Sequence, residues 1–516
     1  MANESSQKSA PLGLFDAILL GMGAMIGAGI FVLTGMAAET AGPASVLIFL
    51  LNGLVTTLTA LSYAELASTI PKRGGGYAFV AEVFPDWVGF VMGWMVWVAY
   101  MIAGSLYALG FAPNFIEFLE LYLGAVPGAT GLYALVAIGV FVGINVLSTA
   151  ASGRVESLVT LVKVAILVVF VGFGLGAVET GKFQPLFPAG HGPLDLLPAM
   201  GLTFVAFEGY DLITTVTEEI EEPRTNVPIA ILVSLVATVV LYLLVVFVAV
   251  GTVGAERLGA AGEVAIAEAS KSFMPAIPGI GAGSALITFG AIFSTISALN
   301  AVLLASSRVV FAMGRNGHIW RAMGRLSAAT GTPVFALLVN GVCMGLVVTL
   351  LPIRAVGNLT SLFFLFAFIT VNAAVIKLRW DRPDQTRPFE IPYFPVPPLL
   401  AIVLNVGVGL FIDWQIWLLA VGWLAIGGLV YERGDRRVAT VRRVMMGDRL
   451  RIVVAGVGRV GLRAAELLYE QNHDIVLIEE GTDRGEEIAG EINASIIRGD
   501  ATRPSILEQA DLAAAD

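Results

Sequence analysis

The sequence predicts an all-α multi-pass membrane protein with about twelve transmembrane helices, followed by a small α/β unit. Three observations carry this. Of 516 residues, 57% are hydrophobic and 14% charged, against about 45–50% and about 25% in soluble domains. Mean hydropathy is +0.84. The apolar residues gather in runs of about 20, the length a helix needs to cross hydrocarbon, and these runs stop near residue 432. A soluble globule could not hide this much apolar surface. Disordered, collagen-like and disulfide-stapled classes are excluded. The single cysteine, Cys343, lies in an apolar run, and His191, His318 and His473 are too scattered for a metal site. The net charge of −10 gives no reason to expect nucleic acid.

The runs cover residues 14–40, 44–70, 86–112, 130–149, 154–178, 194–219, 227–252, 282–312, 333–352, 358–379, 397–413 and 415–432. Residues 1–13 are polar, lack a signal-peptide pattern and read as a cytoplasmic tail. With the N-terminus inside, thirteen loop Lys and Arg fall on the inner side and four on the outer (Lys182, Arg257, Lys271 and Arg354). That bias puts both termini in the cytoplasm. Between the seventh and eighth runs, Glu256 to Phe273 has helical spacing with polar residues and reads as a surface helix.

Two runs carry breaks. In the first, Gly21-Met22-Gly23-Ala24-Met25-Ile26-Gly27-Ala28-Gly29 is too rich in small residues for a rigid helix, and the chain is expected to unwind at Gly27-Ala28-Gly29. Unwound backbone at membrane depth must be buried in protein or line a wet cavity, and a half-helix N-terminus there can hold a carboxylate. The same small residues could equally serve close helix packing. Five runs later, Phe204-Val205-Ala206-Phe207-Glu208-Gly209-Tyr210-Asp211 sets two acids in an apolar stretch. A carboxylate at that depth is costly unless paired or hydrated, so it marks a candidate site. Asp211 could instead cap or pack at the break. Broken helices at matching positions of two five-span halves point to inverted repeats.

The stretch Gly23 to Gly35 resembles the first-helix signature of the amino acid–polyamine–organocation (APC) superfamily, most closely its cationic amino acid transporter branch. Glu65-Leu66-Ala67 with Pro71-Lys72-Arg73-Gly74-Gly75-Gly76-Tyr77 resembles the family's second helix end. Glu218 to Pro228 resembles the link between helices 6 and 7, and Ser306 to Gly317 the end of helix 8. The resemblance covers residues 12 to about 432. It implies a LeuT-type fold with a 5+5 inverted repeat, secondary active transport of an amino acid by alternating access, the cell membrane as its location, and no cofactor for transport. Carried over by position, Ile26, Gly27, Ala28 and Gly29 meet the substrate carboxylate, while Phe204, Ala206, Phe207 and Gly209 meet its amino group and form a lid.

Lys163 lies two to three turns into the fifth run. An ammonium there is costly unless paired or able to lose its proton, which suits a proton carrier. The competing reading is a lysine snorkelling to the interface. In sodium-coupled relatives a cation sits between helices 1, 5 and 8, and Lys163 looks like the lysine that replaces it, which implies proton coupling or sodium independence. Glu208 departs from the family pattern, where this position is more often uncharged. A buried negative charge would favour a basic substrate, take part in the proton path, or partner another polar group. The alternatives are exchange of neutral amino acids or polyamines.

Past Tyr431 the chain turns polar. Residues 433–448 form an Arg-rich linker that can touch anionic lipid. From 449 onward comes a β-branched strand, the glycines Gly456, Gly458 and Gly461 with Arg459 between them, a helical pattern, and a second strand ending at Glu479. This is the context of a dinucleotide-binding fingerprint. The glycines allow the turn, the phosphate approach and helix packing, and the acid can bind ribose. With Ser495 to Thr502, the segment resembles the first part of RCK/TrkA-N domains. It is a partial α/β Rossmann-like unit, about half of such a domain, so nucleotide binding by it alone stays open. The resemblance implies a pocket that senses NAD(H) or an adenine nucleotide, and homo-oligomerisation through this domain. The tail alone would also suit an RCK-regulated ion channel, but no filter strand of the TVGYG type accompanies it. A membrane oxidoreductase lacks any catalytic acid, thiol or second domain, so no enzyme activity is expected.

Overall fold

The computed structural model describes residues 12–72, 74–124, 126, 128–147, 153–187, 192–276, 282–327, 330–445, 451–456, 465, 467–468, 474–479 and 495–509. The chain divides into two units, Met1–Tyr431 and Glu432–Asp516.

The first unit is built of helices because an open backbone N–H or C=O in hydrocarbon is expensive, and a helix pairs both within itself. The helices are α1 (Leu14–Met25), α2 (Ala28–Ala41), α3 (Ser45–Thr69), the short α4 (Gly75–Val83), α5 (Asp86–Leu123), α6 (Thr130–Leu147), α7 (Gly153–Gly174) and α8 (Leu196–Thr203). Next come two 3-10 segments, Phe204–Phe207 and Tyr210–Glu219, and then α9 (Pro223–Val253). The short α10 (Ala255–Ala261) and α11 (Ala265–Ser270) precede α12 (Gly283–Arg315), α13 (Val334–Leu350), α14 (Ile353–Asp381), α15 (Val396–Leu410) and α16 (Trp414–Met445). Among the described residues, nine helical runs are long and apolar enough to cross a membrane, and Val334–Leu350 and Val396–Leu410 are shorter apolar helices.

Burial separates inner from outer helices. The apolar window is 89% buried in Leu14–Thr69, in Asp86–Leu123 and in Pro193–Glu219, but 28% in Thr130–Leu147 and 17% in Trp414–Glu432. The two broken segments and α5 are therefore the centre of the bundle. Its polar side chains pair across helices. Ser62 Oγ donates to Asn372 Oδ1 (2.7 Å), and Trp97 Nε1 donates to Asn340 Oδ1 (2.9 Å). At the end of α3 the buried Glu65 carboxylate accepts from Arg379 Nε (2.7 Å) and Nη2 (2.6 Å) and from the Ile391 N–H (2.8 Å).

Three details differ from the sequence expectation. The first break lies at Ile26–Gly27, with Ala28 and Gly29 already inside α2. The segment between α9 and α12 is two short helices, because Gly262 turns the chain at φ 53°, and Leu258, Ala265 and Ile266 bury one face of the pair. The last apolar helix does not stop at 432 but runs to Met445.

In the second unit, β1 (Arg451–Ala455), β2 (Asp474–Glu479) and β3 (Ser495–Arg498) form a parallel sheet in the order β1-β2-β3. Ile452 stands opposite Ile475, and Ile478 opposite Ile497. A helix, Pro504–Gln509, follows β3.

Candidate functional site

The two interrupted segments cross in the middle of the bundle, and glycine sets how closely. Gly209 has φ 126°, and a Cβ there would stand 2.7 Å from the carbonyl carbon of Ala24 and 2.8 Å from the Met25 nitrogen. A Cβ on Gly29 would stand 2.5 Å from Ala206 Cα. No side chain fits either place, so backbone lies on backbone.

Breaking the first helix frees carbonyls that the bundle must satisfy. The Gly27 N–H donates to Met25 O (2.8 Å) instead of continuing the ladder to Gly23. Gly23 O then accepts from Lys163 Nζ (2.9 Å), and Ile26 O accepts from Lys163 Nζ (3.2 Å) and Ser294 Oγ (2.6 Å). Met25 O accepts from the Tyr242 hydroxyl (2.7 Å). Lys163 is 0% exposed. Its amine is thus spent on the break, and the snorkelling reading falls.

At the second break the polarity is reversed. Asp211 Oδ1 accepts from the Gly209 N–H (3.1 Å) and Oδ2 from the Tyr100 hydroxyl, while the Val205 N–H donates to Ser361 Oγ (3.1 Å). Asp211 is a clasp that holds the turn. The start of α1 is tied to the end of the second broken segment as well. The Leu12 N–H donates to Glu219 O (2.8 Å) and the Glu221 N–H to Leu12 O (2.9 Å).

Beside the crossing lies a small cavity of about 10 Å³, lined by Ala24, Tyr100, Ala103, Tyr107, Glu208, Gly209, Leu212, Val302 and Phe364. That is room for about one water, so the crossing has to widen to admit an amino acid. Glu208 is 3% exposed, and neither carboxylate oxygen has a hydrogen-bond partner among the described residues. A buried polar atom without a partner is an exception that calls for a donor.

Of the expected site residues, the structure sets Glu208 and Gly209 on the cavity. Ile26, Gly27, Ala28 and Gly29 are at the crossing but do not line it. Ala206 lies under Gly29. Phe204 packs on Phe368 (5.9 Å between rings) and Phe207 on Phe49 (5.9 Å) and Tyr242 (5.5 Å). Lys163 reaches the first break from α7. Sequence reasoning missed Tyr100 and Tyr107. Their separation of seven puts them on one face of α5, and two tyrosines two turns apart in an apolar run were the available signal. It also missed Ser294 and Tyr242.

In the second unit, Gly456 has φ 85°, and its N–H donates to Ile478 O (2.9 Å). This sets the first fingerprint glycine beside the end of β2, where Glu479 stands. Gly458, Arg459 and Gly461 lie outside the described residues. No cluster of three His, Cys, Asp or Glu able to hold a metal occurs among the described residues.

Discontinuous helices crossing over a small cavity in a membrane bundle define a carrier. The chain belongs to the amino acid permease family, whose profile matches residues 12–430, and a TrkA-N domain profile matches residues 452–516. It is similar to the branched-chain amino acid permease BcaP of Bacillus subtilis, with 32% identity over 85% of this chain and 96% of that one. It is similar to the methylthioribose transporter of the same bacterium, with 31% identity over 84% and 95%. The vacuolar cationic amino acid transporter 4 of Arabidopsis thaliana shares 30% identity over 73% and 64%. By name these relatives are transporters, not enzymes.

Proposed function

We propose that this protein is a proton-coupled or sodium-independent secondary transporter of amino acids with a preference for basic ones, acting in the cell membrane with both termini in the cytoplasm. The observation that carries the preference is the unpartnered carboxylate of Glu208 on the cavity at the helix crossing. A guanidinium or ammonium side chain supplies the missing donors. The substrate's own carboxylate goes to the N-terminus of α2 at Gly27, Ala28 and Gly29, after Ile26, where the helix dipole favours an anion. Phe204, Ala206, Phe207 and Gly209 close over its amino group.

The architecture we assign is the LeuT type with twelve transmembrane helices. Counting Leu14–Thr69 as two crossings and adding the two shorter apolar helices to the other eight runs reaches that number. Lys163 carries the proton. Its ammonium, held by the Gly23 and Ile26 carbonyls, stands where a cation would be ligated by the broken helix, and discharging it weakens the tie between α7 and α1. A second reading is exchange of neutral amino acids. The names of two relatives, branched-chain permease and large neutral amino acids transporter, favour it.

Residues 449–516 form the partial Rossmann-like unit, joined by the 433–448 linker. Gly456 and Glu479 at the strand ends hold NAD(H) or an adenine nucleotide that regulates transport, and the unit joins copies of the chain. A shift in its melting temperature with NAD, NADH, ATP or AMP tests that reading. Counterflow in liposomes tests the transport reading. Vesicles of purified full-length protein loaded with unlabelled arginine, leucine or alanine should accumulate the labelled compound, arginine most strongly. No counterflow with any of the three refutes the function, and a leucine preference moves it to the second reading.

A further inference from the structure

The polar residues of α7 share one line of the helix. Glu156, Thr160 and Lys163 are four and three residues apart, so their side chains stack along a single face. That face meets the broken first helix. A Cβ on Gly23 would sit 2.0 Å from Thr160 Oγ1, and the same glycine's carbonyl takes the Lys163 ammonium. The Thr160 hydroxyl is fully buried and has no hydrogen-bond partner among the described residues. Glu156 lies close enough to Lys163 and to Arg308 of α12 to interact with both charges. From α1, Asp16 comes to the same end and accepts from Ser157 Oγ (2.9 Å). Glu156 is half-buried and Arg308 exposed, so this end of the line lies nearer the protein surface than Lys163, which is fully buried.

Glu156 and Lys163 are about 10 Å apart along the helix axis, at 1.5 Å per residue. That is too far for direct transfer, but Thr160 divides the gap. Helical side chains lean toward the N-terminus, so the lysine stem leans toward Thr160 and Glu156. We propose that Glu156 is the inner proton-exchange group for Lys163 and that the Thr160 hydroxyl bridges them. In the transfer, one N–H bond of the ammonium breaks and its proton passes to Thr160 Oγ1, directly or over one water. The hydroxyl's own proton passes to the Glu156 carboxylate. One N–H bond is exchanged for one O–H bond, an ion pair becomes a neutral amine and a neutral carboxyl, and the carboxyl releases the proton at the Arg308 end.

The inference rests on the proton-carrier reading of Lys163, and the test separates the two. Full-length protein in liposomes with a pH dye inside is given the amino acid that shows counterflow, and substrate-driven proton movement is compared with exchange of the same substrate. If the wild type moves no protons with substrate, the Lys163 reading fails and this inference falls with it, before any variant is made. If it does, Glu156→Gln should lower proton movement relative to exchange by about 100-fold or more. Glu156→Asp should restore most of it, and Thr160→Val should fall between. An unchanged ratio in Glu156→Gln overturns the proposal. Loss of both activities in Glu156→Gln and Glu156→Asp, with a wild-type ratio in Thr160→Val, also overturns it, because Glu156 would then be structural.

Discussion

Replacing Glu208 by Gln removes a charge from the cavity while keeping the volume, so its effect reads the charge alone. Glu208 is 3% exposed, and neither of its oxygens has a hydrogen-bond partner among the described residues. A cation about 4 Å away gains roughly 4 kcal/mol of Coulomb energy at an effective dielectric of about 20. Desolvation of the incoming cation takes most of that back. What remains is the excess of a charge-assisted over a neutral hydrogen bond, about 1–2 kcal/mol. At about 1.4 kcal/mol per tenfold, Glu208→Gln should weaken arginine binding by about 5- to 30-fold. Leucine and alanine place no cation against the carboxylate, so their affinities should shift by less than about threefold. The assay is competition of arginine, leucine and alanine against labelled counterflow, in wild type and variant. An arginine-to-leucine affinity ratio that does not change would refute the reasoning, because the charge would then face something other than the substrate.

Gly209→Ala should abolish counterflow and destabilise the protein, since a Cβ at φ 126° would stand 2.7 Å from the Ala24 backbone; wild-type melting and transport in purified variant would contradict the close crossing. Glu65→Gln should cost about 3 kcal/mol, near the low end for breaking a buried pair, because the Arg379 side chain is 18% exposed. Melting curves in detergent check it, and Glu65→Gln with Arg379→Met should lose less than Glu65→Gln alone. His318 lies beyond α12, where burial holds its imidazole below the usual histidine range and Asp86 works weakly against that. A depressed folded-state pKa means that the stability it contributes is present above about 6.5 and is lost as pH falls toward the folded value. Melting temperature should therefore drop between about pH 7.5 and 5.5 and drop less in His318→Gln; equal slopes would refute the assignment.

Much of the fold was legible because hydrocarbon imposes a length on every helix, and helix ends at Thr69, Val253 and Leu350 fall within a few residues of the apolar runs. Lys163 and Glu208 were legible for the complementary reason, as charges where the solvent admits none. The inward face of α5 was not. Hydropathy does not separate its faces, so apart from the seven-residue spacing of Tyr100 and Tyr107 nothing in its pattern says that these two turn to the cavity while Leu121 and Leu123 are exposed. The exact break was not legible either. Gly27, Ala28 and Gly29 all permit unwinding, but Lys163, Ser294 and Tyr242, on three other helices, decide which carbonyls can be left open.

Glu208 and Asp211 stand three residues apart in the same apolar stretch, and sequence gives them equal weight. The hydrogen-bond accounting of the two breaks does not. The first break exposes carbonyls, and donors from Lys163, Ser294 and Tyr242 meet them. The second exposes N–H groups, and acceptors from Asp211 and Ser361 meet them. Each break is thus closed by side chains of opposite character, and Asp211 is consumed in the closing. Glu208 is the acid left over. It takes no part in holding either break, and it lies on the cavity lining. A buried carboxylate that contributes nothing to the fold and costs free energy to keep is retained only if something else supplies its donors. On the proposed function, that something is the solute or the proton that travels with it. The acid that closes a break and the acid proposed for the site are therefore told apart by their partners, since their sequence setting is nearly the same.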